Sequence, residues 1–223
     1  MTYSKSTSSR PSTARVCLAI LGVACVGLAP ARAGAQAHPK AATAAQIDSL
    51  TAQEKEMLAI ANDFAKRCAV TMERWITNKE TTEEKLFASL YYPIPKTDPP
   101  KFTADWDGLS DRDILAVEEN VLAKSSAIVF AVMVDKNGYL PTHNQRYSQP
   151  LTGDRALDLR NSRSKRMFLD ETGLAAAKSQ APFLFQRYQR DTGEALIDLS
   201  VPLFIRGVQW GAVRIGYRPA GGS

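Results

Sequence analysis

Apolar or small residues recur at Ile47, Leu50, Met57, Ala61, Phe64, Cys68, Met72 and Trp75, with mostly polar residues between them. Steps of three, four and seven follow one face of a 3.6-residue repeat and predict a single long amphipathic helix from Gln46 to Asn78. Thr51 followed by Glu54 has the spacing of a capping box just inside that start. The stripe fits two uses. It packs on the domain's own sheet, which we favour for the C-terminal half, or pairs with a second copy as a coiled coil, which stays open for the N-terminal half. Thr81-Thr-Glu-Glu84 repeats the capping spacing and predicts a short helix through Leu90. Tyr91-Tyr-Pro-Ile-Pro and Asp98-Pro-Pro100 then remove backbone donors and fix dihedrals, which predicts a long irregular loop. Ser110-Asp-Arg-Asp113 reads as the cap of another helix running to Lys124.

From Ser126 the period becomes extended. Ala127 to Val134 is a continuous β-rich apolar run, Asp135-Lys-Asn-Gly138 supplies left-handed turn residues, and Tyr139 to His143 reads as the second strand of a hairpin. The polar stretch Asn144 to Lys165 reads as loop and Asp170 to Lys178 as a short helix. Three strands follow as a meander, Phe183 to Arg190, Ala195 to Ile205 and Val208 to Tyr217, with turns at Asp191-Thr-Gly193 and Arg206-Gly207. The expected class is α+β, with the first helix backing an antiparallel sheet of five to six strands.

The chain's start changes the picture of where this domain acts. Lys5, Arg10 and Arg15 precede the apolar run Val16 to Ala29, small residues follow through Ala37, and the first acidic residue is Asp48. That order predicts a secretory signal peptide over 1–37, cut after Ala37 with Ala33 as the alternative. The run ends before Pro30, short of the roughly 20 apolar residues that a spanning helix needs. A periplasmic mature chain is expected, with a flexible start at 38–45, one domain at 46–217 and a tail at 218–223. Removing Lys5, Arg10, Arg15 and Arg32 takes the 28 basic residues to 24 against 23 acidic ones, so no nucleic-acid surface is indicated. Cys17 and Cys25 leave with the leader, and Cys68 alone makes no internal disulfide; a small buried hydrophobe is its expected role, an intermolecular bridge the alternative.

Enzyme signatures are missing. The sequence has no G-x-S-x-G, H-E-x-x-H, P-loop or Gly-rich dinucleotide turn, so no catalysis is expected. Asp135-Lys-Asn-Gly138 lacks the remaining oxygen ligands of a calcium loop and reads as a turn. His143 stands beside Asn144 at a strand end, where it serves either structure or ligand contact. A lone imidazole makes a poor metal site; a single His can be an axial haem ligand, but C-x-x-C-H is absent, so no cofactor is expected and a haem-binding sensor is the lesser alternative. Tyr188 and Arg190 share one face of a strand, and Leu196, Asp198 and Ser200 share one face of the next, giving a sheet face more polar than a closed core requires. Trp210 at the start of the last strand either stacks on a ligand or packs under the first helix.

Gly138-Tyr-Leu-Pro-Thr-His-Asn144, Pro150-Leu-Thr-Gly-Asp154 and Asn161-Ser-Arg-Ser-Lys-Arg-Met-Phe168, in that order, resemble the periplasmic sensor module of some bacterial methyl-accepting chemotaxis receptors. Gln186-Arg-Tyr-Gln-Arg-Asp-Thr-Gly193, Asp198 to Gly207 and Trp210 to Tyr217 are similar to its central and last strands. The resemblance implies a PAS-like Cache fold, a curved antiparallel sheet with a pocket on one face. It places Arg163, Lys165 and Arg166 on the pocket rim, where guanidinium groups suit an anionic small molecule. The other reading of these cations is internal neutralisation by Asp154, Asp158 and Asp170. Such modules pass a ligand-induced shift to a transmembrane helix; this sequence reaches Ser223 without one and carries Gln209 where a His is expected. A soluble ligand-binding domain acting through a membrane sensor or chemoreceptor is the leading expectation. A non-binding protein of the same fold that dimerises through the 46–78 helix is the alternative.

Overall fold

A computed structural model describes residues 41–189 and 194–220; the predicted leader therefore lies outside the described residues. Helix α1 (Ala44–Asp48) and helix α2 (Ala52–Thr77) replace the single helix expected from Gln46 to Asn78. The break has a local cause. Thr51 takes an extended conformation as the N-cap of α2, its hydroxyl accepts the Glu54 N–H, and the Glu54 carboxylate accepts the Thr51 N–H. A residue so used cannot continue a helix through itself. Met57, Leu58, Ala61, Phe64, Ala65, Cys68, Met72 and Trp75 are buried along one side of α2.

Helix α3 (Glu83–Phe87) is capped by Thr82 rather than Thr81, which is buried. The proline-rich stretch, expected to be irregular, forms a small antiparallel ribbon of β1 (Tyr92–Ile94) and β2 (Lys101–Thr103). Pro93 is accommodated because an edge strand need not donate at every position. The next helix starts earlier than Ser110: α4 (Asp107–Leu109) passes through a π-helical turn, Ser110–Ile114, into α5 (Leu115–Leu122).

The main sheet holds four antiparallel strands in the order β3 (Ile128–Asp135), β8 (Val208–Tyr217), β7 (Ala195–Ile205) and β6 (Leu184–Gln189). The class is α+β, with α2 packed on one face. The expected hairpin partner of β3 departs from the prediction. Strand β4 (Tyr139–Leu140) pairs with β5 (Arg166–Met167), and side chains cap the outer edge of β3 instead. Asn144 Oδ1 accepts the Ala131 N–H at 2.8 Å, Glu118 Oε1 accepts the Met133 N–H at 3.3 Å, and Arg146 donates to the Val129 carbonyl. The polar stretch read as loop carries a 3₁₀ turn at Gln145–Tyr147 and helix α6 (Arg155–Asn161); α7 (Glu171–Lys178) forms as expected on its Asp170 cap.

Each face of the sheet has its own filling. Ala131, Met133, Leu199, Val201, Leu203, Val213, Ile215 and Tyr217 join the α2 residues in the larger core. Val129, Phe130, Val132, Val134, Leu140, Ala177 and Leu196 form a smaller cluster on the other side. A register shift between Leu203 and Phe204 makes Trp210 the extra residue of a β-bulge. Without it, strand alternation would put Trp210 with Ala212 and Arg214; the bulge sends it into the larger core. Gly211 lies against β3 so closely that a Cβ would stand 2.0 Å from the Val134 carbonyl oxygen.

Candidate functional site

Register assembles the polar face that alternation predicted. Gln186, Asp198, Gly216 and Phe130 form one row across the four strands, and Leu184, Ser200, Arg214 and Val132 form the next. Arg214 donates to Asp198 from Nη2 at 2.6 Å and from Nε at 3.1 and 3.3 Å, and the two side chains are only 5% and 0% exposed. Gly216 is required in this row. A Cβ there would meet the Phe130 ring at 2.1 Å, so glycine lets that ring lie across the sheet.

The segment after β4 covers this surface. His143 is buried with its ring edge-on to Phe130 at 6.1 Å and to Tyr147 at 4.9 Å. The expected strand to His143 stops at Leu140, and His143 and Asn144 lie in the irregular segment after it, which Asn144 fixes by capping the β3 edge. The Arg163 guanidinium stacks on the Phe168 ring at 5.0 Å and donates to the Leu159 carbonyl at 3.1 Å. Arg166 does the same at 5.1 and 3.2 Å. One ring and one carbonyl therefore hold two guanidinium groups together.

Two spaces meet at this pair of stacks. A small pocket of about 20 Å³ is lined by Phe130, Val132, Leu140, His143, Arg163, Phe168 and Arg214. An open cleft of about 420 Å³ is lined by Arg163, Arg166, Met167, Phe168, Leu169, Asp170, Thr172 and Gln189. Arg163 and Phe168 belong to both linings and form the wall between them. The inner space has room for about one water molecule; the outer one has the size of a small-metabolite pocket.

Other expected contacts fall elsewhere. Trp210 donates from Nε1 to the Leu86 carbonyl at 3.0 Å and packs edge-on against Trp106 at 5.4 Å, so the structure assigns it to packing and separates it from the cleft. Gln209, in place of the expected His, donates to the Ser179 carbonyl at 2.8 Å and ties β8 to the end of α7. Lys165 turns away from its two arginine neighbours toward Asp111 and Asp107. Tyr188 pairs with Leu196 through the backbone; its side chain and Arg190 lie outside the described residues. Asp154 and Asp170 cap α6 and α7, and Asp158 accepts from Thr152 and Gly153, so all three carboxylates serve backbone N–H groups.

Lys101 joins the basic group unannounced by the sequence, because it sat in a segment read as irregular. Its ammonium donates to the Ser164 carbonyl at 2.7 Å. Burial pushes it down to about 8, and the charges of Arg166 and Lys165 add to that. The charge of Asp158 opposes them.

No family model matches the chain, and no curated protein matches it. Among solved structures, the E. coli DcuS sensor domain is similar at a TM-score of 0.33 and 19% identity, over 47% of this chain and 65% of that one. An extracellular ligand binding receptor from Desulfohalobium retbaense DSM5692 is similar at a TM-score of 0.31 and 15% identity, over 76% of this chain and 26% of that one. The chain spans less than two thirds of either neighbour's length. What it binds has to be read from its own residues.

Proposed function

We propose that this chain is an extracytoplasmic sensing domain of PAS-like Cache type that binds a small anionic molecule in the cleft beside Arg163 and Arg166. One observation carries the reading. A wall of guanidinium on aromatic ring stands between an open cleft and a buried charged interior. Burying Arg214, Asp198, His143 and Arg163 on one sheet face costs desolvation that an apolar filling would avoid. A protein that only needed to close this face would be more stable with hydrophobic residues there. In the proposed site Arg163 and Arg166 meet the anion, while His143, Asn144, Asp198 and Arg214 hold the floor beneath. A membrane sensor or chemoreceptor would then read the bound state through the exposed side of α2.

The inner cavity of about 20 Å³ favours a second reading, a fold retained without a ligand. A thermal-shift screen with amino acids, carboxylic acids and purines separates the two. A ligand at a hundred times its dissociation constant adds about 2.7 kcal/mol. Carboxylic acids should raise the melting temperature of the wild type and not of Arg163→Ala/Arg166→Ala. No response to any compound supports the non-binding reading.

A further inference from the structure

Lys165 sits between Arg163 and Arg166 in sequence but belongs to another part of the molecule. Its φ is 64°, in the left-handed region that a side chain with a Cβ enters at a cost. Both its backbone groups are engaged: its N–H donates to the Leu140 carbonyl at 2.8 Å, and its carbonyl accepts the Phe102 N–H at 2.7 Å. The side chain, only 16% exposed, puts Nζ 2.9 and 3.0 Å from the two Asp111 carboxylate oxygens and 3.4 Å from Asp107 Oδ2. That Asp107 oxygen also accepts from Tyr139 at 2.7 Å and from the Ala104 N–H at 3.1 Å. The unusual backbone conformation is what sends one cation backward while its neighbours face the cleft.

Asp111 lies in the π-helical turn Ser110–Ile114. Two residues on, Asp113 accepts the indole N–H of Trp75 at 2.6 Å, and Trp75 is fully buried near the C-terminal end of α2. A π turn holds one residue more than the α-helical ladder around it and can shift between the two patterns, a property that recurs at functional sites. The chain of contacts is short and polar at every joint.

We propose that Lys165 is a positioning residue that couples the arginine-bearing loop to the π turn, and through Asp113 and Trp75 to α2. The inference rests on the cleft being an anion site. When an anion draws Arg163 and Arg166 outward, the loop carries Lys165 with it, its ammonium moves on Asp111, and the π turn answers at the base of Trp75.

The test delivers the anion covalently. Leu169 lines the cleft and is 61% exposed, whereas Cys68 is buried, so Leu169→Cys gives one reactive thiol among the described residues. Sulfonatoethyl methanethiosulfonate places a sulfonate there, releasing methanesulfinate, and the hydroxyethyl reagent gives a neutral adduct of similar length. Expected are a higher melting temperature for the sulfonate adduct than for the neutral one, and severalfold slower or faster amide exchange over Ser110–Leu122. Adding Lys165→Met should keep the melting shift and abolish the exchange change, and Lys165→Arg should restore it. An exchange change that survives Lys165→Met overturns the coupling while leaving the anion site intact. If the sulfonate has no effect on melting, the anion site falls instead. The tie is then still tested without an adduct: Lys165→Gly, which relieves the backbone but removes the ammonium, should speed exchange at Arg112–Leu115 severalfold. Unchanged exchange there refutes the coupling.

Discussion

Two buried charged residues show how far single positions depart from what a periodic pattern reveals. Glu118 falls on α5 where the helical pattern continues, and nothing local says that its carboxyl will be fully buried against Met133. Burial pushes it well above the usual carboxylate range, against the pull of the Met133 N–H, with Glu119 and Asp111 adding to the rise and Lys165 opposing it. Cys68 is its neighbour on α2 and is pushed up by burial and by Glu118. A folded-state value above the unfolded one means that this contribution to stability is complete below about pH 4.5 and is lost as pH climbs through the folded value. Urea midpoints measured from pH 4.5 to pH 8 should therefore fall in the wild type relative to Glu118→Gln, which keeps the acceptor and drops the charge; parallel curves would count against it. Asp198 was legible from alternation as a polar residue on the site face, but its partner was not, since Arg214 lies two strand positions off the direct pair. Asp198→Ala leaves the buried guanidinium without its carboxylate and should cost about 3–5 kcal/mol. Asp198→Leu with Arg214→Met should recover most of that loss in the same denaturation assay; a double replacement as damaging as the single one would show that the pair is not the cause.

At the level of elements, the sequence marks where chains stop more clearly than what they pair with. The Thr51 and Glu54 box was visible, and it broke the long helix because a capping residue is extended. The meander of β6, β7 and β8 was read to within a residue or two, since short Gly-containing turns leave antiparallel pairing as the simple outcome. The period of β3 identified a strand, but the turn residues after it pointed to the wrong partner: Tyr139–Leu140 pairs with β5, and β3 pairs with β8. Asn144, Glu118 and Arg146 take the place of a paired strand on its outer edge, an arrangement that depends on residues 10 or more positions away. The bulge at Trp210 and the π turn each insert one residue into a regular ladder, and no spacing rule announces them. Gly211 is where the bulge meets β3. Gly211→Ala would drive a Cβ into the Val134 backbone, with no flexible side chain to move aside. A loss of more than about 1–3 kcal/mol is expected, the usual cost of overpacking, read as a lower midpoint together with faster exchange along β3. An unperturbed midpoint would mean that the two strands are not held this closely.

For the whole molecule, the sheet divides the interior into unlike halves. One face is apolar and packs on α2; the other carries an ion pair, an imidazole and two stacked arginines under a short-helix cover. Composition and motif searches pointed to recognition rather than catalysis, and the resemblance to chemoreceptor sensor modules pointed to the cleft side. Neither foretold that the innermost space would be so small or that Lys101 would crowd the rim. Among the described residues no helix is long and apolar enough to cross a membrane. The direct test is an NMR titration with a mixture of small carboxylates, following the arginine side-chain N–H signals. The account predicts that the Arg163 and Arg166 signals move and saturate while those of the exposed Arg74 and Arg155 stay put; saturable movement elsewhere only, or none at millimolar carboxylate, would contradict it.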